Sequence, residues 1–131
     1  MDKAEVILCM DIGGTNCRMG LCGKDFTLYE KQIISTERMA ERDFRSALID
    51  AIRDFIAAHA DAYTIRGISM GFPATIDSKR RVVLLAPAIK GASGFAICDT
   101  LEEEFGLKVW LEKDVNLLFL YDLMEIGRAH V

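Results

Sequence analysis

The chain is poor in the residues that mark specialised architectures. Of its 131 residues only 2 are proline and 10 are glycine, which excludes collagen-like and low-complexity designs. It has 4 cysteines and 2 histidines, with no C-x-x-C pair and no cysteine–histidine cluster at metal spacing. Neither a disulfide framework nor a zinc site is expected. Cys9 lies in an apolar run, and Cys17 and Cys22 lie in or beside the next one, the setting of small buried hydrophobes. A basic excess is also absent, because 16 Lys and Arg against 20 Asp and Glu leave a net charge of −4. A surface that neutralises phosphates needs the opposite balance, so no nucleic-acid partner is expected. No apolar run approaches the roughly 20 residues of a membrane span. The first residues carry one lysine and an apolar stretch broken by Asp11, which is no signal peptide. No membrane association is expected, and the chain reads as cytoplasmic.

What is present suits one soluble domain: 51% hydrophobic and 27% charged residues, with length enough to bury a core. Glu5 to Met10 is a short continuous apolar run, the pattern of a central strand buried on both faces. After a turn at 11–15, strands are expected over Cys17–Cys22 and Phe26–Ile34, joined by Gly23-Lys24-Asp25. Turns this short join antiparallel neighbours. The period then changes. Phe44, Leu48, Ala51, Ile52, Phe55 and Ile56 fall at helical spacing within Glu41–His59. A strand at Arg66–Gly71 follows, then a small hairpin or edge excursion about the polar turn 77–80. Next come a helix over Phe95–Phe105 stopped by Gly106, a strand at Lys108–Leu111 and a helix at Val115–Met124. The order predicts an α/β fold: a mixed sheet with a three-strand meander first and helical crossovers afterwards. Phe44, Phe55, Phe105 and Trp110 are expected in the core, Glu102-Glu103-Glu104 on a solvated helix face, and His59 near a helix C-terminus, where the macrodipole favours it.

The most informative segment is Asp11-Ile12-Gly13-Gly14-Thr15. Two glycines between strands permit positive φ and close approach of a ligand. Their amides, with that of Thr15 and its hydroxyl, can point at phosphate oxygens. Asp11, ending a buried strand, is placed to hold a hydrated Mg²⁺ beside them. G-x-G-x-x-G and G-x-x-x-x-G-K-[ST] are both absent, so neither familiar nucleotide fingerprint applies. A plain hairpin turn with glycines that serve geometry alone is the competing reading.

Placed between the first two strands of a meander, this D-x-G-G-T turn resembles the first phosphate loop of the sugar kinase, Hsp70 and actin superfamily. Gly67-Ile68-Ser69-Met70-Gly71-Phe72-Pro73-Ala74-Thr75-Ile76-Asp77 resembles the G-x-x-x-G-x-P-G-x-x-D segment of the ROK (repressor, open reading frame, kinase) family. Leu107-Lys108-Val109-Trp110-Leu111-Glu112-Lys113-Asp114-Val115-Asn116 resembles that family's L-P-V-x-x-E-N-D-A-N. The resemblance runs from about Val6 to Met124. It implies a ribonuclease H-like fold of the actin, hexokinase and Hsp70 ATPase kind, and ATP-dependent phosphorylation of a sugar, with ATP and Mg²⁺ as cofactors. It implies phosphate contacts from Asp11, Gly13, Gly14 and Thr15, with Mg²⁺ held by Asp11 through water. Sugar contacts fall to Gly71, Lys113 and Asp114, and Asp114 matches the aspartate that takes the proton of the attacking hydroxyl. On position alone Asp114 also fits a helix cap, while Asn116 fits a structural bond to nearby backbone.

The match implies the N-terminal lobe of such a kinase over residues 1–125, with a structural zinc only in a C-terminal half. Ile126 to Val131 equals an in-frame translation of a common sequencing-library adapter and is expected to be an adapter-derived tail. The fragment alone is expected to be inactive, and a homodimer is open to the full-length protein. Three departures bear on the sugar: Lys113 stands where the family has asparagine, Ala88 where its N-L-P segment has asparagine, and Pro73-Ala74 where it has Pro-Gly. These alter a glucose-type hydrogen-bonding set, and with Asp114-Val115-Asn116 they resemble the D-allose kinase branch. Three rivals remain. A sugar-sensing regulator would need a helix-turn-helix ahead of the phosphate loop, where Met1 leaves ten residues before Asp11. An actin- or Hsp70-like ATP clamp would not need the Glu112-Lys113-Asp114 motif, and a ribonuclease H-like nuclease would need several clustered carboxylates.

Overall fold

The computed structural model describes residues 3–112. Strand β1 (Ala4–Ile12) pairs antiparallel with β2 (Asn16–Cys22), which pairs antiparallel with β3 (Leu28–Ser35). Two helices, α1 (Thr36–Arg42) and α2 (Phe44–His59), lead to β4 (Tyr63–Gly71), parallel to β1. A hairpin of β5 (Thr75–Ile76) and β6 (Val83–Leu85) precedes α3 (Ile97–Phe105) and β7 (Lys108–Glu112), which runs parallel to β4. The main sheet has the order β3-β2-β1-β4-β7. That is the expected meander followed by helical crossovers.

Both crossovers lie on one face. Val6, Leu8, Met10 and Ile12 alternate toward it and share a single core with Leu48, Ile52 and Phe55 of α2 and Ile97, Cys98 and Leu101 of α3. The residues between them point the other way, where Ile7, Cys9 and Cys22 form a smaller cluster edged by Trp110. Val6 to Met10 are thus all buried, as a central strand between two covered faces requires. The four cysteines are free and buried. Phe44 and Phe55 are core residues, whereas Phe105 and Trp110 are partly buried. Trp110 lies over Gly67, where an added Cβ would come within 2.5 Å of its ring. Among the described residues no helix is long and apolar enough to cross a membrane.

Three local expectations are corrected. The single helix from Glu41 is two helices, because Asp43 is extended (φ −161°, ψ 107°) and separates them. Helix α1 starts where the Ser35 hydroxyl accepts the Arg38 amide at 3.2 Å, a capping signal stronger than the weak apolar pattern around it. Strand β3 begins at Leu28, since Phe26 takes φ +64° in the preceding turn. Glu102 is not on a solvated face. It receives Arg81 and accepts the Val109 amide at 3.0 Å, tying α3 to β7. Glu103 and Glu104 are exposed, as expected. Gly106 stops α3 in the left-handed region (φ +65°) with its amide on the Glu102 carbonyl. The helix expected at Val115–Met124 and the tail 126–131 lie outside the described residues.

Candidate functional site

The carboxyl ends of the parallel strands set the site. In the register, Asp11 of β1 lies opposite Arg18 of β2 on one side and Gly71 of β4 on the other, and Gly71 lies opposite Glu112 of β7. Partners in register face the same side of a sheet. Asp11 and Glu112 therefore flank a strip that Gly71 leaves without a side chain. Asp11 lies inside β1, not in the turn, so sheet hydrogen bonds on both sides hold its backbone. Its carboxylate is exposed, and its charge adds to burial in pushing the Cys17 thiol up to about 12.

Beyond Asp11 the glycine turn is tighter than expected. Gly13 donates its amide to the Asn16 carbonyl at 2.9 Å, and the Thr15 carbonyl accepts Thr36 at 2.9 Å. Gly13 thus spends its amide on closing the turn. The Gly14 and Thr15 amides donate to no acceptor among the described residues, so these two are free for an anion. Positive φ is not why glycine is needed, since the glycines in that region are Gly91, Gly94 and Gly106. Space is the reason. A Cβ on Gly13 would lie 3.2 Å from the Asn16 carbonyl oxygen, and one on Gly14 would lie 3.3 Å from the Ala88 Cβ.

Ala88 belongs to a segment whose place the sequence does not reveal. Residues 86–94 wind back on themselves: Ile89 donates to the Ala86 carbonyl, Ala92 to the Ile89 carbonyl, and Ala86 to the Ser93 hydroxyl. Arg45, in the first turn of α2, holds the segment down through the Gly91 carbonyl at 3.1 Å and the Ser93 carbonyl at 3.0 Å, and its guanidinium lies 4.9 Å from the Phe95 ring centre. Beneath, buried Phe72 meets Phe44 edge-on with ring centres 6.1 Å apart. The wall over the glycine turn is therefore fixed by α2 and the core.

The last aspartate of the Gly67–Asp77 motif has a structural task. Asp77 Oδ1 accepts the Arg81 and Val82 amides at 2.7 and 2.8 Å, and these bonds hold its carboxyl below the usual carboxylate range. The structure brings Asp11, Gly13, Gly14, Thr15 and Gly71 to one end of the sheet. Lys113, Asp114 and Asn116 lie outside the described residues, directly after Glu112 in sequence. Among the described residues no three His, Cys, Asp or Glu gather as a metal site. An exposed strand-end carboxylate such as Asp11 is chemically suited to a cation held largely through water.

The ROK family model matches residues 7–122. This chain belongs to the ROK family. Among its curated relatives, a beta-glucoside kinase of Klebsiella pneumoniae is 31% identical over 124 residues, covering 94% of this chain and 39% of that protein. A glucokinase of Thermotoga maritima is 27% identical over 131 residues, covering 99% of this chain and 40% of that protein. In three dimensions the chain is similar to a ROK family glucokinase of Streptomyces griseus solved with glucose and AMPPNP. The TM-score is 0.69 and the identity 27%, over 85% of this chain and 34% of that one. The ribonuclease H-like, actin-type fold expected from the sequence is thereby established. The chain spans about two-fifths of the length of the curated relatives it matches.

Proposed function

We propose that this chain is the N-terminal lobe of an ATP-dependent cytoplasmic sugar kinase that phosphorylates a hexose hydroxyl, D-allose or a related sugar being favoured. The observation that carries the reading is the joint placement of an exposed strand-end carboxylate, Asp11, and two unpartnered amides, Gly14 and Thr15, at one sheet end. Fixed donors beside a carboxylate suit phosphate oxygens and a hydrated cation together. Bound Mg²⁺-ATP supplies the γ-phosphoryl group and offsets its charge during transfer. The amides of Gly14 and Thr15, with the Thr15 hydroxyl, hold phosphate oxygens. Asp11 accepts from the water shell of the cation. Gly71, which has no side chain, leaves room for the sugar between Asp11 and the end of β7. Asp114 accepts the proton of the attacking hydroxyl, and Lys113 lies next to it as a sugar contact.

The preference for D-allose is supported by Lys113, Ala88 and Pro73-Ala74, each a departure from a glucose-type set. Of these, Ala88 packs over Gly14 with a methyl where an asparagine would present an amide. The test is Asp114→Asn in the full-length protein. This change keeps size and capping ability but removes proton acceptance, and a lost general base costs about 10²–10⁴-fold in kcat. A kcat within about threefold of the parent, far inside that range, would make Asp114 a helix cap and leave the mechanism without its base. Comparison of kcat/KM for D-allose and D-glucose tests the sugar, and a preference for glucose would refute that part.

A further inference from the structure

The described residues include three non-glycine residues with positive φ: Phe26, Glu30 and Arg80. Arg80 is the one near the proposed site. It closes the turn between β5 and β6, where its amide donates to the Asp77 carbonyl at 2.9 Å and Asp77 Oδ1 fixes the next two amides. That geometry demands φ +57° at position 80, which glycine adopts freely and a residue with a Cβ, such as arginine, does not. An arginine in such a place calls for a reason outside the turn.

The reason lies across the hairpin. The Arg80 guanidinium donates to the Glu112 carboxylate, whose side chain is 20% exposed. Glu112 ends β7 and faces the same side as Asp11 and Gly71, while its carbonyl accepts the Phe72 amide at 2.9 Å. Backbone and side chain of Glu112 are thus held from two directions. Arg81 cannot replace Arg80, because it is engaged with Asp99 and Glu102. The chain continues from Glu112 into Lys113 and Asp114.

We infer that Arg80 is a positioning residue for phosphoryl transfer, acting through Glu112 to fix the end of β7 from which the proposed base follows. The inference rests on the sugar-kinase reading. Backbone strain at position 80 is retained because the side chain holds Glu112, so relief of the strain and loss of function should occur together. The experiment compares Arg80→Gly and Arg80→Lys with the parent in the full-length protein. Steady-state kinetics and thermal midpoint are measured on each.

For Arg80→Gly the expected result is an unchanged or higher thermal midpoint with a drop of roughly 10- to 100-fold in kcat, the scale of a small misplacement transmitted to a reacting group. KM for ATP, bound at the glycine turn two strands away, stays near the parent value. Arg80→Lys keeps the cation and recovers most of the loss. Three results overturn the inference: unaltered kcat in Arg80→Gly, a lowered midpoint with activity lost in proportion to unfolding, or an equal loss in Arg80→Lys. A parent that phosphorylates no sugar refutes the kinase reading itself, and this inference with it. An active parent beside a normal Arg80→Gly refutes the inference alone.

Discussion

Replacement of Gly14 separates the phosphate-loop reading from a plain hairpin. Its φ is outside the left-handed region, so alanine can adopt the backbone without torsional strain. The penalty is contact alone. The new Cβ would sit 3.3 Å from the Ala88 Cβ and 3.6 Å from the Ala88 carbonyl oxygen, a few tenths of an ångström inside the ~3.5–4.0 Å optimum for carbon pairs. Arg45 and the hydrogen bonds of residues 86–94 resist an outward shift, so the change overpacks a site that yields little. Overpacking costs typically ~1–3 kcal/mol, and a single methyl against exposed Ala88 belongs at the low end, about 1 kcal/mol. Gly14→Val adds two further carbons and belongs near the upper end.

For the nucleotide, the same methyl stands where phosphate oxygens approach the Gly14 amide. A loss of about tenfold or more in affinity, ~1.4 kcal/mol, is expected. Titration calorimetry with MgATP on the full-length protein measures it, beside a urea midpoint. The double variant Gly14→Ala with Ala88→Gly distinguishes the cause. It should restore stability by removing the contact, but not ATP affinity, because the methyl still covers the amide. Full recovery of ATP binding would place the effect in the displaced 86–94 segment. Parent-like ATP affinity in both Gly14 variants would refute the loop assignment outright.

Two further predictions concern the scaffold. Phe72→Ala removes a fully buried ring packed against Phe44 and should cost ~3–5 kcal/mol; chemical denaturation reads it, and a loss below about 1 kcal/mol would show that the site floor is not built on this pair. Asp77 has a carboxyl held low by the Arg81 and Val82 amides, so its folded pKa lies below its unfolded one. Its contribution is present above the unfolded value of about 4 and fades as pH falls toward the folded one. Asp77→Asn should therefore reduce the difference in urea midpoint between pH 6 and pH 3, and an unchanged difference would mean that these bonds survive protonation.

Local pattern was enough to make much of this molecule legible. The apolar run at Glu5–Met10, the short turns after it and the switch to helical spacing from Phe44 dictate strands, meander and crossover, because periodicity and turn length act between near neighbours. The glycines of the Asp11–Thr15 turn announced a close approach for the same reason. Register lies beyond that reach. Hydrogen bonds between distant strands place Asp11, Gly71 and Glu112 in one row, and no spacing in the chain encodes the match.

The purpose of each glycine was likewise decided in three dimensions. Gly14 serves a contact with Ala88, 74 positions later in the chain, and not the torsion that its type suggests. Helix α1 escaped periodicity because one side-chain cap and one extended aspartate define it. Glu102 reads as solvated until Arg81 and the Val109 amide converge on it. Arg80 reads as a turn residue until the fold brings Glu112 within reach. Sequence determined which elements form and which chemistry each carries, since those follow from local sterics and burial. Tertiary structure alone decided which residues meet, since ion pairs and close contacts depend on distances through space that the chain order does not contain.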